Sequence, residues 1–264
     1  GKITKSDKFL KLVGKHRDIK KDSKFKGTLS EYLKVIEDDK SIAQLAHKRL
    51  YEVLASHGIT RMSTSESRCN KLFGGEEVKT YNYFQNKFFG MERSLAKIMR
   101  FLRSASLRGE ESRQVLLLLG PVGAGKSALL EHIKTALEDC ESMYHIEGCP
   151  IHEEPLHLIP RSLRSDFEKI YNIKIEGDLC PVCRFRLKEE FNNDYTLMPI
   201  TQSSFSVRGR RGVGVVPPMD ANSQDVTVLV GSEDISKLDL YSEDDPRVLS
   251  LNGAFNVGNR GIVE

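Results

Sequence analysis

Eight residues constrain this chain more than any others. Gly120-Pro-Val-Gly-Ala-Gly-Lys-Ser127 follows directly on the apolar run Gln114-Val-Leu-Leu-Leu-Leu119 and leads into Lys126-Ser-Ala-Leu-Leu-Glu-His-Ile-Lys-Thr-Ala-Leu. A strand, a glycine-rich turn and a helix in that order form the phosphate-binding P-loop unit, and the spacing Gly-x4-Gly-Lys-Ser is its signature. Each residue type has a chemical reason. Triphosphates need many inward-pointing backbone N–H groups, and only a loop of small residues wraps closely enough to supply them. Gly120, Gly123 and Gly125 give the permissive backbone, and Pro121, Val122 and Ala124 complete the turn. The helix starting near Lys126 aims the positive end of its dipole at the anion. Lys126 neutralises the β/γ charge, and Ser127 offers a hard oxygen to Mg²⁺. A nucleoside triphosphate with Mg²⁺ is therefore the expected ligand of Gly120–Ser127.

The remaining sequence supplies a scaffold for such a loop. At 264 residues the chain is long enough for one large domain or two modest ones. Thr28 and Glu31 stand at capping-box spacing ahead of Leu29, Tyr32, Leu33 and Ile36, which predicts a first helix. A second is expected over 41–57, with Ser41 and Gln44 at its start and Gly58 as its stop. Residues 60–77, rich in Ser and Gly, read as a linker. Leu95, Ile98, Met99 and Leu102 predict an amphipathic helix from Met91 onward, and 114–119 reads as a buried strand without alternation. Residues 142–148 read as a second strand, 160–192 as helical with a break at 175–183, and 201–222 as irregular. From 223 to the end, a strand-like run alternates with turns. The expected fold class is α/β: a parallel P-loop NTPase sheet flanked by helices, with a helical N-terminal segment.

Charge and cysteines narrow the function classes. Net charge is +3, yet residues 1–26 carry ten Lys/Arg against three Asp, so the remainder is net acidic. No aromatic residues interleave the basic arm in a base-stacking pattern, so it reads as a solvated terminus, and nucleic acid is not an expected partner. No apolar run reaches the roughly 18–20 residues of a membrane helix. Five cysteines without an export signal point to the cytoplasm and to thiols or a metal site. Cys149-Pro-Ile-His152 and Cys180-Pro-Val-Cys183 are two chelate-like pairs that would close a tetrahedral zinc site, each spanning a tight turn. Half-buried thiols without metal are the competing reading of those four residues. The run 152–160 is not the H-E-x-x-H protease motif, because its second histidine falls at i+5 and Pro155 interrupts any helix.

Several segments carry a family resemblance. Phe88-Phe-Gly-Met-Glu-Arg-Ser-Leu95 resembles the segment that precedes the P-loop in AAA+ ATPases, and the likeness implies that Phe88, Phe89 and Gly90 pack against adenine. Asp225, Gly231, Gly253, Asn259 and Gly261 match the insert and the approach to Walker B in the magnesium-chelatase branch. By that register the Walker B acids fall two or three positions past Glu264, so the chain is expected to be truncated before them, with Glu264 a poor candidate for that role. From about residue 26 onward, stretches such as Gly27–Leu54, Leu72–Glu77, Gly148–Pro160 and Asn259–Glu264 resemble the AAA+ region of the PrkA-type serine protein kinases.

Three parts are expected: a basic arm over 1–26, a helical segment over 27–80, and over 81–264 an AAA+ domain, which follows from the resemblance. The resemblance has further implications. It implies ATP and Mg²⁺ as cofactors, a protein substrate, a homo-oligomer and an arginine supplied by a neighbouring subunit. It further implies serine phosphorylation by a region absent from these residues, which contain no HRD catalytic loop, no DFG and no kinase-type strand lysine; His16-Arg-Asp18 in the basic arm lacks the asparagine that completes such a loop. Two alternatives stand beside it: a remodelling or protease-associated ATPase without kinase activity, and a nucleotide-binding module without turnover.

Overall fold

The computed structural model describes residues 25–62, 78–140, 143–216, 225–242 and 245–264, together with Ser6 and Phe9. The basic arm before Phe25 and most of the expected linker, residues 63–77, lie outside them, apart from Ser6 and Phe9.

A short strand, β1 (Lys26–Gly27), leads into α1 (Leu29–Asp38). The Thr28 amide donates to the Glu31 carboxylate at 2.7 Å, and its hydroxyl donates to the same carboxylate. The second helix begins later than its sequence suggests. Lys40–Ala43 is a 3-10 turn, and α2 runs over Ala46–Ser56. Gly58 stops it with φ of +103°, a backbone conformation that favours glycine. Next, β2 (Ile59–Met62) pairs antiparallel with β3 (Val78–Tyr81), so Thr60–Met62, expected as linker, are ladder residues instead. Then come α3 (Glu92–Ser106), α4 (Lys126–Glu138), β4 (Met143–Ile146), α5 (Arg161–Tyr171) and α6 (Pro181–Glu189). β5 (Ile200–Ser203) and β6 (Val213–Gly214) break up the segment expected to be irregular. The expected strand-like run near 226–230 is instead the helical turn α7 (Thr227–Val230). It is followed by β7 (Ser232–Glu233), β8 (Leu249–Ser250), α8 (Ala254–Val257) and β9 (Ile262–Val263).

These elements divide into two compact units: the described residues through Ile42 with those of Ser142–Ser203, and those of Ala43–Glu141 with Ser204–Glu264. The helical segment expected over 27–80 is thus shared, α1 going to the first unit and α2 to the second.

In the first unit, β1, β5 and β4 form a sheet in which both pairings are antiparallel. Ile146 lies opposite Ile200, and both are fully buried with Met143 and Met198. The Tyr32 hydroxyl, on the buried face of α1, donates to Glu154 Oε1 at 2.7 Å. In the second unit, α2, α3, α4 and the β2–β3 pair enclose Leu54, Phe84, Leu95, Ile98, Met99, Leu102, Leu129 and Ile133. Full burial of each such side chain contributes roughly 1.5–3 kcal/mol. The α3 contribution is the face that the heptad-like spacing from Leu95 to Leu102 predicts.

Two expectations about the sheet are corrected. Residues 114–119 run without ladder hydrogen bonds to any strand among the described residues. Val115, Leu117 and Leu119 are exposed, and only Leu118 packs against the core. The second expected strand, β4, lies in the first unit and pairs antiparallel with β5. Apolar character marks a segment as extended, but a strand is buried only when neighbours occupy its two edges, and that is decided by tertiary pairing. The parallel pairing among the described residues is between β6 and β9. There Gly261 meets the backbone of Gly212 so closely that an added Cβ would lie 1.7 Å from the Gly212 carbonyl oxygen.

Candidate functional site

The loop Gly120–Ser127 forms a turn whose shape depends on two left-handed residues, Gly123 (φ +81°) and Gly125 (φ +82°). Gly125 is also the N-cap of α4, and the Leu129 amide makes the first helical bond to its carbonyl at 2.9 Å. The amides of the first helical turn have no intrahelical acceptors, because helix geometry offers them none. A side chain at Gly123 would meet nothing within 4 Å, so the loop is open on that side. The Lys126 ammonium folds over the loop and donates to the carbonyls of Gly120 at 2.6 Å and Pro121 at 2.7 Å. Ser127 is exposed at the start of α4. The donor set therefore fits a polyanion: a positive helix end, an ammonium held at the loop, an accessible hydroxyl, and a face clear of side chains.

The aromatic segment before α3 reaches the same place. Phe88 packs edge-on against His132 of α4, with ring centroids 5.3 Å apart. A Cβ on Gly125 would lie 3.2 Å from the Met91 sulfur and 4.0 Å from the Phe88 ring. Phe88 and Phe89 also line a cavity of about 390 Å³ with Thr60, Tyr81, Phe84 and Glu92. Phe89 is 79% exposed, and Gly90 adopts φ of +73° with open space beside it. Of the three residues expected at adenine, Phe88 is thus the one packed beside the loop, and Met91, not singled out by sequence, is its neighbour there.

The C-terminal positions are structural in their observed contacts. Asp225 accepts from the Thr227 amide at 3.0 Å just before α7. Glu264 pairs with the buried Lys134 ammonium at 2.6 Å, and Glu131 contacts the same ammonium. Burial alone lowers the Lys134 pKa, but hydrogen bonds to Glu131 and Glu264 outweigh it and hold the group charged. In the basic run 208–212, Arg210 donates to the Asn252 carbonyl at 2.8 Å and Arg211 to that of Ser204 at 3.0 Å.

The first unit contains a different cluster. Ile146–Glu153 is a loop closed by the Ile146 amide on the Glu153 carbonyl at 3.1 Å, with the Cys149 amide donating to Ile146 at 3.2 Å. Cys180 is the N-cap of α6, Pro181 is its first residue, and the Cys183 amide donates to the Cys180 sulfur at 3.3 Å. Cys149, Glu153, Cys180 and Cys183, all buried, bring one ligand atom each within 4.8 Å of one another. His152, expected as the fourth member, stands apart from this group. Its φ is +49° and its ring packs against His145, centroids 4.9 Å apart. Glu153, at 1% exposure, takes the place beside the sulfurs.

The Glu153 carboxylate is held by its other oxygen. Oε1 accepts from the Cys180 amide at 2.7 Å and faces His157 Nδ1 at 3.1 Å, while Oε2 faces the Cys149 sulfur at 3.9 Å. His157 Nε2 lies 2.7 Å from the Glu176 carbonyl. Both ring nitrogens thus face acceptors, which favours the doubly protonated ring. Burial lowers the His157 pKa, yet the Glu153 hydrogen bond and charge outweigh it, and the net shift is upward. Burial pushes the Glu153 carboxyl up. Hydrogen bonding from the Cys180 and Cys183 thiols holds the Cys149 thiol down.

The family described as PrkA AAA domain matches residues 27–264. The chain belongs to the PrkA AAA-domain family. Membership carries the P-loop NTPase fold, and within it the PrkA AAA chain is a mixed α/β structure. It is 37% identical over 262 residues to the ATP-dependent protease PrkA of Bacillus subtilis (strain 168), covering 97% of this chain and 40% of that protein. It is 31% identical over 251 residues to the serine/threonine kinase YeaG of Escherichia coli (strain K12), covering 92% of this chain and 38% of that one. The PrkA AAA chain thus spans about two fifths of the length of these curated relatives. A shorter likeness, 29% over 90 residues, links 34% of the chain to 79% of an uncharacterized protein in the gldA 5'region of Geobacillus stearothermophilus. No solved structure matches. No helix among the described residues is long and apolar enough to cross a membrane.

Proposed function

We propose that this chain is the ATP- and Mg²⁺-binding module of a PrkA-like protein, and that within the complete protein it takes part in ATP hydrolysis that drives action on a protein substrate. The observation that carries the reading is the Lys126 ammonium poised on the Gly120 and Pro121 carbonyls of an open, glycine-shaped loop. In the proposed complex Lys126 exchanges those carbonyls for phosphate oxygens, and the amides from Gly123 to Ser127 turn inward on the same anion. Ser127 would hold Mg²⁺ through its hydroxyl oxygen, and the ion would supply charge neutralisation for the phosphates. The Phe88 face beside Gly125 would exclude water from the base.

The protein-substrate part rests on the names of the two relatives, a protease and a serine/threonine kinase. The resemblance to AAA+ proteins adds a homo-oligomer in which a neighbouring subunit contributes an arginine, and the reading places the assembly in the cytoplasm. Nucleotide titration in magnesium buffer tests the core of it. Labelled ATP should bind the folded chain and not its Lys126→Ala variant. A folded wild-type chain that retains no nucleotide would overturn the reading. Phosphate release and transfer of labelled γ-phosphate to serine, measured on the full-length protein, separate an ATPase from a kinase.

A further inference from the structure

We infer that Cys149, Glu153, Cys180 and Cys183 form a structural zinc site in the first unit, with Glu153 rather than His152 as the fourth ligand. The inference is independent of the nucleotide reading, because every residue in it belongs to the other unit.

Three observations support it. The first is distance. Zinc–thiolate bonds of about 2.3 Å at tetrahedral angles put neighbouring ligand atoms roughly 3.8 Å apart. The Cys149 and Cys180 sulfurs are 3.9 Å apart, Cys149 Sγ and Glu153 Oε2 are also 3.9 Å apart, and all four ligand atoms fall within 4.8 Å. The second is composition. Three thiols and a carboxylate, all buried, form a donor set that suits zinc's affinity for sulfur and closes four coordination positions without water, as structural sites do. The third is orientation. Glu153 Oε1 is anchored by the Cys180 amide and His157, which leaves Oε2 toward the sulfurs. The Cys183 amide to Cys180 sulfur bond positions a second ligand in the same way. Such outer contacts orient the ligands of metal sites. His157 itself is engaged at both nitrogens and is not a ligand.

The geometry also explains why His152 is excluded. The backbone bond between Ile146 and Glu153 fixes residue 153 at the mouth of the loop, and the left-handed turn at residue 152 directs its ring to His145. Zinc binding here needs no redox partner: each ligating thiol releases its proton to solvent as the metal–sulfur bond forms.

The test is metal analysis of the chain purified under reducing conditions without chelator, followed by exchange into Co²⁺. About one zinc per chain is expected, and the Co²⁺ form should show intense visible bands of a tetrahedral site with thiolate-to-metal charge transfer in the near ultraviolet. His152→Ala should keep its zinc, while Glu153→Gln should lose it to a chromophoric chelator with an affinity at least about tenfold weaker. The Co²⁺ spectrum of the unaltered protein keeps the test decisive even if Glu153→Gln fails to fold. Three results would overturn the inference. One is a folded chain with less than a tenth of an equivalent of metal and no Co²⁺ spectrum. Another is a Cys149–Cys180 or Cys149–Cys183 disulfide in protein prepared without oxygen. The third is loss of zinc from His152→Ala with retention in Glu153→Gln.

Discussion

Two helix N-termini in this molecule leave their polar groups in opposite states. α4 begins at Gly125 and presents Lys126 and an exposed Ser127, with open space beside Gly123. α6 begins at Cys180, whose own sulfur accepts from the Cys183 amide, with Pro181 removing one donor and every ligand atom buried. The first leaves donors for a visitor. The second meets its polar groups internally and gathers soft ligands around a point. A ligand that must come and go requires unmet hydrogen-bonding capacity at the surface, whereas a resident ion requires a closed shell.

The contrast can be broken most forcefully at Lys126. Lys126→Ala should weaken ATP binding at least ~100-fold, as loss of a charge-assisted contact to phosphate implies, with thermal stability unchanged. Micromolar affinity in the folded variant, by fluorescence titration, would remove the first half of the comparison. At the other helix, stripping the metal with a strong chelator should lower the melting temperature by on the order of 10 °C. Differential scanning calorimetry checks it, and an unshifted melt would count against a structural ion.

A subtler pair of substitutions tests the loop's shape. Gly125→Ala meets both a left-handed backbone and the Met91 sulfur, and should cost about 1–2 kcal/mol in urea unfolding. Gly123→Ala meets the backbone penalty alone and should cost less, so equal losses would show that the Met91 contact is immaterial. Phe88→Ala should weaken ATP about tenfold while leaving inorganic tripolyphosphate binding unchanged. Equal loss for both ligands would move Phe88 from base contact to loop support. The smallest effect belongs to the exposed approach to the loop. Leu117→Ser should change stability by less than about 0.5 kcal/mol. A loss of several kcal/mol would mean that this side chain is buried in solution.

What was legible in the sequence was local. The glycine-rich turn needs its glycines within a few residues of one another, and the amphipathic face of α3 repeats every turn, whereas the break expected over 175–183 begins earlier, after Tyr171, and α6 already starts at Pro181. The family likeness from Gly27 onward was legible for the same reason, since it rests on contiguous motifs. The thiol cluster was legible only in part. Cys180 and Cys183 stand three apart, so their pairing could be read from spacing, although they were expected in a tight turn and lie instead at the start of α6. No local rule distinguishes His152 from Glu153 as the partner of Cys149. A C-x2-H spacing looks like a chelate, and the residue beside it looks like a surface acid.

The sequence by itself determined where the glycine-rich turn lies and that Cys180 and Cys183 form a close pair. These depend on φ/ψ preferences and on spacings shorter than a few turns. Only the tertiary structure decided that β4 pairs antiparallel with β5, that 114–119 has no strand at its edges among the described residues, and that a carboxylate joins three sulfurs in place of an imidazole. Those outcomes depend on which distant backbone groups satisfy each other, as when the amide of Ile146 takes the carbonyl of Glu153 and the amide of Cys180 takes its side chain. Hydrogen-bond partners between separate segments leave no periodic trace along the chain, so they are fixed only once the segments have packed.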